Sequence, residues 1–163
     1  MTHLYDSYDR EYLTELMGYF PVPSPVSLDG AFEQIQDFCN HQFRAEEIAE
    51  ALRGTSEDDF YKFFQMIPLE LHSQLFENIL SNAGKYRNGN DPNNGEVFFG
   101  PPANTYAGAD PVAIESKVKK CLSTLILFPA DPVRIAATFY QRFVKIHPFY
   151  DGNGRVARFI VEV

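Results

Sequence analysis

The spacing of proline and glycine is the strongest constraint on how this chain can fold. Apolar residues recur three or four positions apart in most segments, as in helices that bury one face. A proline or a glycine interrupts this pattern repeatedly. Because proline lacks a backbone N–H and glycine commonly ends helices, each helix is expected to stop near the next such residue. The sequence therefore predicts several short helices joined by turns.

Eight segments have helical periodicity. Ser56 and Asp131 are predicted N-caps, Pro68 is expected to separate two helices, and Gly84 is expected to end the second of them. The predicted helices are 8–19, 31–43, 45–53, 56–67, 69–84, 110–128, 131–146 and a last one that begins near Gly154.

Two segments do not fit helices. Three prolines within residues 20–30 force an extended linker. Residues 85–111 are dense in Gly, Asn and Pro, but they include the β-prone island EVFF at 96–99. We interpret this island as part of an exposed hairpin or flap. The predicted fold class is therefore all-α with one small β-hairpin.

The charge of the chain limits its partners. The 163 residues carry a net charge of −8, and 45% of them are hydrophobic, enough for a core. An acidic protein lacks the basic face that binds a nucleic-acid backbone, so we expect no nucleic-acid partner. The one compact basic run is KVKK at 117–120, which is typical of a solvated helix face.

The sequence predicts a cytoplasmic protein. No apolar run of 18 residues is present, so no membrane span and no membrane partner are expected. The first residues lack the basic and apolar regions of a signal peptide. Cys39 and Cys121 have no metal-ligand spacing and are interpreted as buried thiols in a reducing compartment.

The segment KIHPFYDGNGRVARF at 145–159 concentrates the chemistry of the chain. Pro148 ends the preceding helix, and Gly152 and Gly154 allow a tight turn into the next one. Such a turn directs free N–H groups and a positive helix end at one point, which is an anion site that suits phosphate.

Four side chains complete this segment. Arg155 and Arg158 lie three positions apart on one helix face and can grip phosphate oxygens. Asp151 is placed to hold a Mg²⁺ that bridges phosphates, and His147 has a pKa suited to accepting a proton near neutral pH. The segment therefore predicts attack of a hydroxyl on a metal-bound nucleotide phosphate, with His147 as base.

The stretch HPFYDGNGR matches every fixed position of the motif of the Fic (filamentation induced by cAMP) family. The upstream segments LHSQLFENILSNAGKYR and EVFFGPP also resemble that family, so the resemblance covers 68–163. It implies a Fic-type helical bundle that transfers AMP from ATP to a Ser, Thr or Tyr hydroxyl of a target protein. It leaves 1–67 as a helical subdomain of unknown role.

The resemblance also implies a role for each motif residue. His147 is the general base, Asp151 holds Mg²⁺, and Phe149 anchors the loop. A flap aligns the target as an added strand. The implied phosphate-binding residues are Gly152, Asn153, Gly154, Arg155 and Arg158, and the implied flap residues are Val97, Phe98 and Phe99.

The resemblance leaves the transferred group open. Glycine at 154 resembles the AMP-transferring branch, since the phosphotransferase branch typified by the Doc toxin has lysine there. Some members transfer UMP or phosphocholine instead. A third alternative is a catalytically silent nucleotide-binding module, because the family usually continues beyond the second arginine, whereas five residues follow Arg158. The core would then be truncated, or partner contacts would replace the missing helices.

Inhibition has two alternatives. Many Fic proteins carry Ser/Thr-x-x-x-Glu-Gly/Asn, whose glutamate pairs with the second motif arginine. The stretch SQLFEN matches this pattern with Ser73, Glu77 and Asn78, whereas Ser7 and Glu11 are a near match. Helical geometry directs Ser73 and Glu77 away from the apolar face, so a separate antitoxin-like partner is the alternative inhibitor.

Overall fold

The structure, a computed structural model, describes residues 7–40, 44–101, 103–127 and 131–162. The described helices are α1 (Ser7–Tyr19), α2 (Leu28–Asn40), α3 (Arg44–Arg53), α4 (Glu57–Phe76), α5 (Ile114–Leu127), α6 (Pro132–Ile146) and α7 (Asn153–Glu162). The strands β1 (Phe98–Phe99) and β2 (Tyr106–Ala107) pair antiparallel. The predicted all-α fold with a small β-hairpin is confirmed. None of the described helices is both long and apolar enough to span a membrane.

Helix α4 lies at the centre of the bundle. It contacts α2, α3, α5 and α7, while α6 packs between α5 and α7. Phe76, Phe139, Phe143 and Phe149 are fully buried where these helices meet. The core therefore extends directly to the loop between α6 and α7, which carries the motif.

The predicted break at Pro68 is wrong, because α4 continues through this proline for two further turns. Pro68 is buried on the same apolar face as Phe64, Leu71 and Leu75. Burial of this continuous face outweighs the one backbone hydrogen bond that proline cannot donate. The boundary at 67/68 thus falls inside a helix, and the division into 1–67 and 68–163 stays a prediction. The N-cap at Ser56 is confirmed.

The predicted helix end at Gly84 is also wrong, because α4 already ends at Phe76 and turns follow. Asn78 takes the left-handed conformation, with φ 62°, and reverses the chain. Gly84 has φ 72°, and a Cβ there would lie 2.9 Å from the Cβ of Ser73. The chain therefore folds back on its own helix at a point where only glycine fits.

The remaining boundaries differ little from the predictions. Helix α2 begins at Leu28, three residues before the predicted start, and α7 begins at Asn153. The Asp131 carboxylate accepts a hydrogen bond from the N–H of Arg134 at 3.1 Å, so this predicted N-cap is confirmed. The predicted helical residues 41–43 and 128 lie outside the described residues.

Candidate active site

The motif loop leaves α6 through an unusual backbone conformation. His147 is the C-cap of α6 and has φ 51° and ψ 59°, the left-handed region that is rare for residues other than glycine. Its N–H donates to the carbonyl of Phe143 at 3.1 Å. His147 therefore closes the helix through its own backbone conformation.

The side chain of Asn153 holds the loop in shape. Its Oδ1 accepts from the N–H of Phe149 at 2.9 Å, and its Nδ2 donates to the carbonyl of the same residue at 2.8 Å. Asn153 is buried, and Phe149 is fully buried beneath it, as expected for an anchor. A phosphate contact from Asn153 would therefore come from its backbone N–H, since both polar atoms of its side chain are engaged.

The turn into α7 has the backbone geometry expected of an anion cradle, and its binding of phosphate stays a prediction. Gly152 has φ 76°, and a Cβ there would lie 2.7 Å from Cε2 of Phe76, so glycine is required on two grounds. The first bond of α7 runs from the N–H of Val156 to the carbonyl of Gly152 at 2.9 Å. The N–H groups of the intervening first-turn residues have no acceptor within the helix. They lie at its positive end, which favours an anion.

One hydrogen bond of the His147 ring indicates its tautomer. Its Nδ1 lies 3.2 Å from the carbonyl oxygen of Val144. A carbonyl can only accept, so Nδ1 carries the proton and Nε2 keeps a lone pair. Burial lowers the pKa of His147 to about 4, against the opposing effect of the Val144 bond, and the Arg87 guanidinium lowers it further. The imidazole is therefore neutral and can accept a proton at pH 7.

The flap touches this imidazole. The ring of Phe99 stacks on the ring of His147 with centroids 4.0 Å apart and an angle of 9° between the planes. Phe98, the neighbouring flap residue, is 68% exposed. Val97 lies at the base of the flap, where its carbonyl accepts from the N–H of Gly108 at 3.0 Å. The flap thus has one aromatic side chain against His147 and another in solvent.

Asp151 and the two arginines line the mouth of the cradle. The Asp151 carboxylate accepts from the N–H of Gly152 at 2.6 Å and lies 3.5 Å from the Arg155 guanidinium. Arg158 is exposed one turn further along α7. One carboxylate beside a phosphate cradle fits Mg²⁺, which commonly binds through one or two carboxylates and substrate phosphates. The residues present therefore fit this ion.

One cleft of about 430 Å³ brings most of the predicted site together. Its lining includes Phe98, Phe99, His147, Asp151, Gly152, Asn153, Gly154, Arg155 and Arg158. The predicted base, metal ligand, phosphate-binding residues and two flap residues thus share one concave surface. Val97 does not line it, and neither does the predicted inhibitory segment.

That segment lies at the C-terminal end of α4 and in the turn that follows. Glu77 is exposed at the C-cap, and its backbone carbonyl accepts from Nε2 of Gln34 at 2.9 Å. Ser73 packs against Gly84, and Asn78 is exposed in the reversing turn. Among the described residues, no ion pair joins Glu77 to Arg158. An inhibitory role for this segment stays a prediction.

Arg87 supports the site, although its side chain had no predicted role. It is 1% exposed and donates to the carbonyls of His147 at 2.8 Å, Ala109 at 3.0 Å and Gly95. It therefore ties the base of the flap to the C-terminal end of α6, where a cation is favoured by the helix dipole. The only signal in the sequence was its place in the family-like turn GKYR.

His72 and α1 also support the motif loop. His72 is buried, stacks on Phe149 with centroids 3.9 Å apart, and hydrogen-bonds the backbone of Asp151. Tyr12 in α1 donates from its hydroxyl to the carbonyl of Tyr150 at 2.5 Å. Tyr12 and Asp9 also line the cleft. The N-terminal segment thus forms part of the site wall, which no local pattern of α1 indicated.

Comparison with known proteins identifies the family. The profile of the Fic/DOC family matches residues 68–163, more than half of the chain. The chain belongs to the Fic/DOC family. Fic proteins generally transfer nucleotides or other groups onto proteins. A comparison with curated proteins finds no match.

The fold of this Fic/DOC chain is similar to the crystal structure of a Fic family protein from Desulfovibrio desulfuricans. The TM-score is 0.52 at 18% sequence identity, and the superposition covers 96% of this chain and 48% of that one. The chain thus spans about half the length of that protein. At this identity the similarity supports the fold alone.

Proposed function

We propose that this domain is a protein adenylyltransferase that moves AMP from ATP to a Ser, Thr or Tyr hydroxyl of a target protein. The observation that supports the proposal is the hydrogen bond between the His147 ring and the backbone of Val144. The ring Nδ1 is bound to the carbonyl of Val144, so the lone pair of Nε2 is left in a cleft that also contains a helix N-terminus and two arginines. A proton acceptor beside a phosphate site is what nucleotidyl transfer to a hydroxyl requires.

The proposed reaction uses the residues of the chain as follows. Nε2 of His147 accepts the proton of the target hydroxyl while that oxygen forms a bond to the α-phosphorus of ATP. The bond from this phosphorus to the oxygen that bridges to the β-phosphate breaks, and pyrophosphate leaves. The first-turn N–H groups of α7, with Arg155 and Arg158, stabilise the charge that accumulates on the phosphate oxygens.

Two further groups position the reactants in this proposal. Asp151 would hold Mg²⁺, which would neutralise phosphate charge when bound. Phe99 stacks on the base, and the strand that contains it would pair with an extended segment of the target. Both interactions would bring the hydroxyl to His147, where proximity contributes much of the rate.

The test is transfer of label from α-labelled ATP, with Mg²⁺ and a cell lysate, by wild type and two variants of His147. His147→Ala removes the ring. His147→Asn is the sharper variant, because asparagine tolerates the left-handed conformation and can donate to Val144, but it lacks an acceptor at the position of Nε2. We expect wild type to label protein bands and both variants to lose about 10²- to 10⁴-fold in rate.

Other outcomes would identify other functions. Label from γ-labelled but not α-labelled ATP would indicate phosphotransfer, and label only from UTP or a phosphocholine donor would indicate another transferred group. Binding of ATP without any transfer would indicate a silent nucleotide-binding module. Label that persists in His147→Asn would reject His147 as the base.

The proposal also covers the cellular location of the domain and the way in which it is inhibited. We place the domain in the cytoplasm, in line with the free thiols of Cys39 and Cys121. Cys121 is buried as expected, whereas Cys39 is exposed. We propose a separate antitoxin-like partner as the inhibitor, with Glu77 or the near match Ser7 and Glu11 as the intramolecular alternatives; Glu77 makes no ion pair with Arg158 among the described residues. Increased auto-modification in Glu77→Gly would show an intramolecular inhibitor instead.

A further inference from the structure

A second cleft, of about 540 Å³, lies beside the flap. Its walls are the end of β2 with the residues that follow it, one face of α5 and one face of α6, and we call it the basic groove. The lining residues that carry charge are Asp110, Lys117, Lys120, Arg142 and Lys145. Four cations and one carboxylate thus face one groove in a chain with a net charge of −8.

The four cations form a regular arrangement. Lys117 and Lys120 are three positions apart on α5, and Arg142 and Lys145 are three positions apart on α6. This spacing places each pair on one face of its helix. The two helices pack together where the Cys121 thiol lies 3.8 Å from a backbone carbonyl of α6. The lysine pair of α5 and the Arg142–Lys145 pair of α6 therefore both face the basic groove.

These cations are open to solvent and unpaired in the part of the chain that the structure describes. All four are exposed, and none forms an ion pair with any residue that the structure describes. By contrast, Lys119 on the same helix lies 2.7 Å from the Glu115 carboxylate. The carboxylate of Asp110 accepts from the N–H of Val112 at 3.0 Å. The groove therefore has positive charge available for an external anion.

The walls of the groove are adjacent to the proposed reaction site. The N–H of Ala109 donates to the carbonyl of Ile146 at 2.9 Å, and both residues line the groove. Ile146 is followed directly by His147, and Ala107 of β2 pairs with Phe98 in the flap. A polypeptide held along the flap would thus extend from the base towards the groove.

We propose that the basic groove binds acidic side chains of the target protein that flank the modified hydroxyl residue. This inference rests on the proposed function, and it specifies the class of target. Four cations suit a few carboxylates, whereas the acidic surface of the rest of the chain would repel a long nucleic-acid backbone. The groove would select and orient the target, while the flap and His147 act on the hydroxyl.

Binding of fluorescent peptides tests the groove without requiring catalysis. One peptide has a central threonine flanked by glutamates, and the matched peptide has glutamines in their place. The groove variant is K117Q/K120Q/R142Q/K145Q. The control variant, K62Q/K85Q/K119Q/R134Q, removes the same charge from exposed cations that do not line the groove. Fluorescence anisotropy gives the Kd of each pair.

We expect wild type and the control variant to prefer the glutamate peptide, with Kd values within about twofold of each other. One exposed ion pair changes affinity by about 1.4- to fivefold, so the groove variant should bind this peptide between about fourfold and several hundredfold more weakly. Equal binding of both peptides, or equal losses in both variants, would overturn the inference. Tighter binding of a single-stranded oligonucleotide than of the glutamate peptide would also overturn it.

Label transfer separates this inference from the proposed function. If the glutamate peptide binds in the groove but α-labelled ATP labels no protein, the adenylyltransferase proposal fails and the groove is supported. If lysate proteins are labelled in a His147-dependent way while the two peptides bind equally, the groove inference fails and the function is supported.

Discussion

The buried histidine of α4 should make the stability of this protein depend on pH. His72 is 1% exposed, its Nδ1 accepts from the N–H of Gly84 at 3.0 Å, and its ring stacks on Phe149. Burial lowers the pKa of His72 to about 3, despite the opposing hydrogen bond to the backbone of Asp151. The imidazole therefore stays neutral in the folded state at any pH above that value.

The size of the change in the free energy of unfolding follows from proton linkage. An unfolded histidine has a pKa near 6.5, so below this pH the unfolded chain binds a proton that folded His72 does not bind. Below pH 6.5, the free energy of unfolding therefore decreases by about 1.4 kcal/mol for each unit by which the pH is lowered. Between pH 7 and pH 5, His72 alone should remove about 2 kcal/mol, and the loss continues until the pH reaches the folded pKa.

The substitution His72→Asn tests whether His72 causes this pH dependence. Asparagine keeps an acceptor near the position of Nδ1 for the Gly84 N–H, but it does not titrate in this range. The free energy of unfolding is measured from urea melts at half-unit steps from pH 8 to pH 5. We expect the slope below pH 6.5 to be smaller in the variant by about 1.4 kcal/mol per unit, because contributions of other groups cancel in the difference.

If the free energy of unfolding depends on pH equally in wild type and His72→Asn, the prediction is wrong. His72 would then have the same pKa in the folded and the unfolded chain. If the variant is too unstable for urea melts, an NMR titration of wild type gives the same information. The ring proton signals of His72 should not shift between pH 8 and pH 5. A midpoint near 6.5 would contradict the lowered pKa.

Three further predictions concern the site. Arg87→Met should destabilise the fold by about 3–5 kcal/mol, because the carbonyls of Gly95, Ala109 and His147, which are buried or partly buried, lose their donor; a loss below about 1 kcal/mol in urea melts would contradict this. Gly152→Ala should cost about 2–5 kcal/mol through its positive φ and the contact with Phe76, and a thermal melt that matches wild type would reject that account. The acid limb of kcat/KM for transfer should fall near pH 4, because burial keeps His147 neutral down to its pKa of about 4; a limb near pH 6.5 would show an ordinary histidine.

The sequence predicted the motif loop well because its determinants are local. Gly152 and Pro148 act through their own backbone preferences, and Asp131 caps a helix within its own first turn. Such effects depend on residues a few positions apart, so they can be read before the tertiary structure is known. The family motif added the expected roles of His147 and Asp151.

Errors arose where distant contacts decided the outcome. Pro68 would interrupt an isolated helix, but the apolar face of α4 that contains it is buried against the surrounding helices, so the helix continues. Asn78 reverses the chain although the apolar spacing around it is helical. In both places the tertiary packing outweighed a local preference.

Local patterns in the chain were enough to predict the helical class, the turn at the motif and the residue types that can bind phosphate and accept a proton. Which distant groups support them depends on how the helices pack. Arg87, His72 and Tyr12 reach the motif loop from 60, more than 70 and 138 positions away, respectively. The pKa of His147, the contact of Phe99 and the grouping of cations on α5 and α6 depend on which elements pack together. Burial and Coulomb interactions act through distance in space, and the order of residues does not specify that distance.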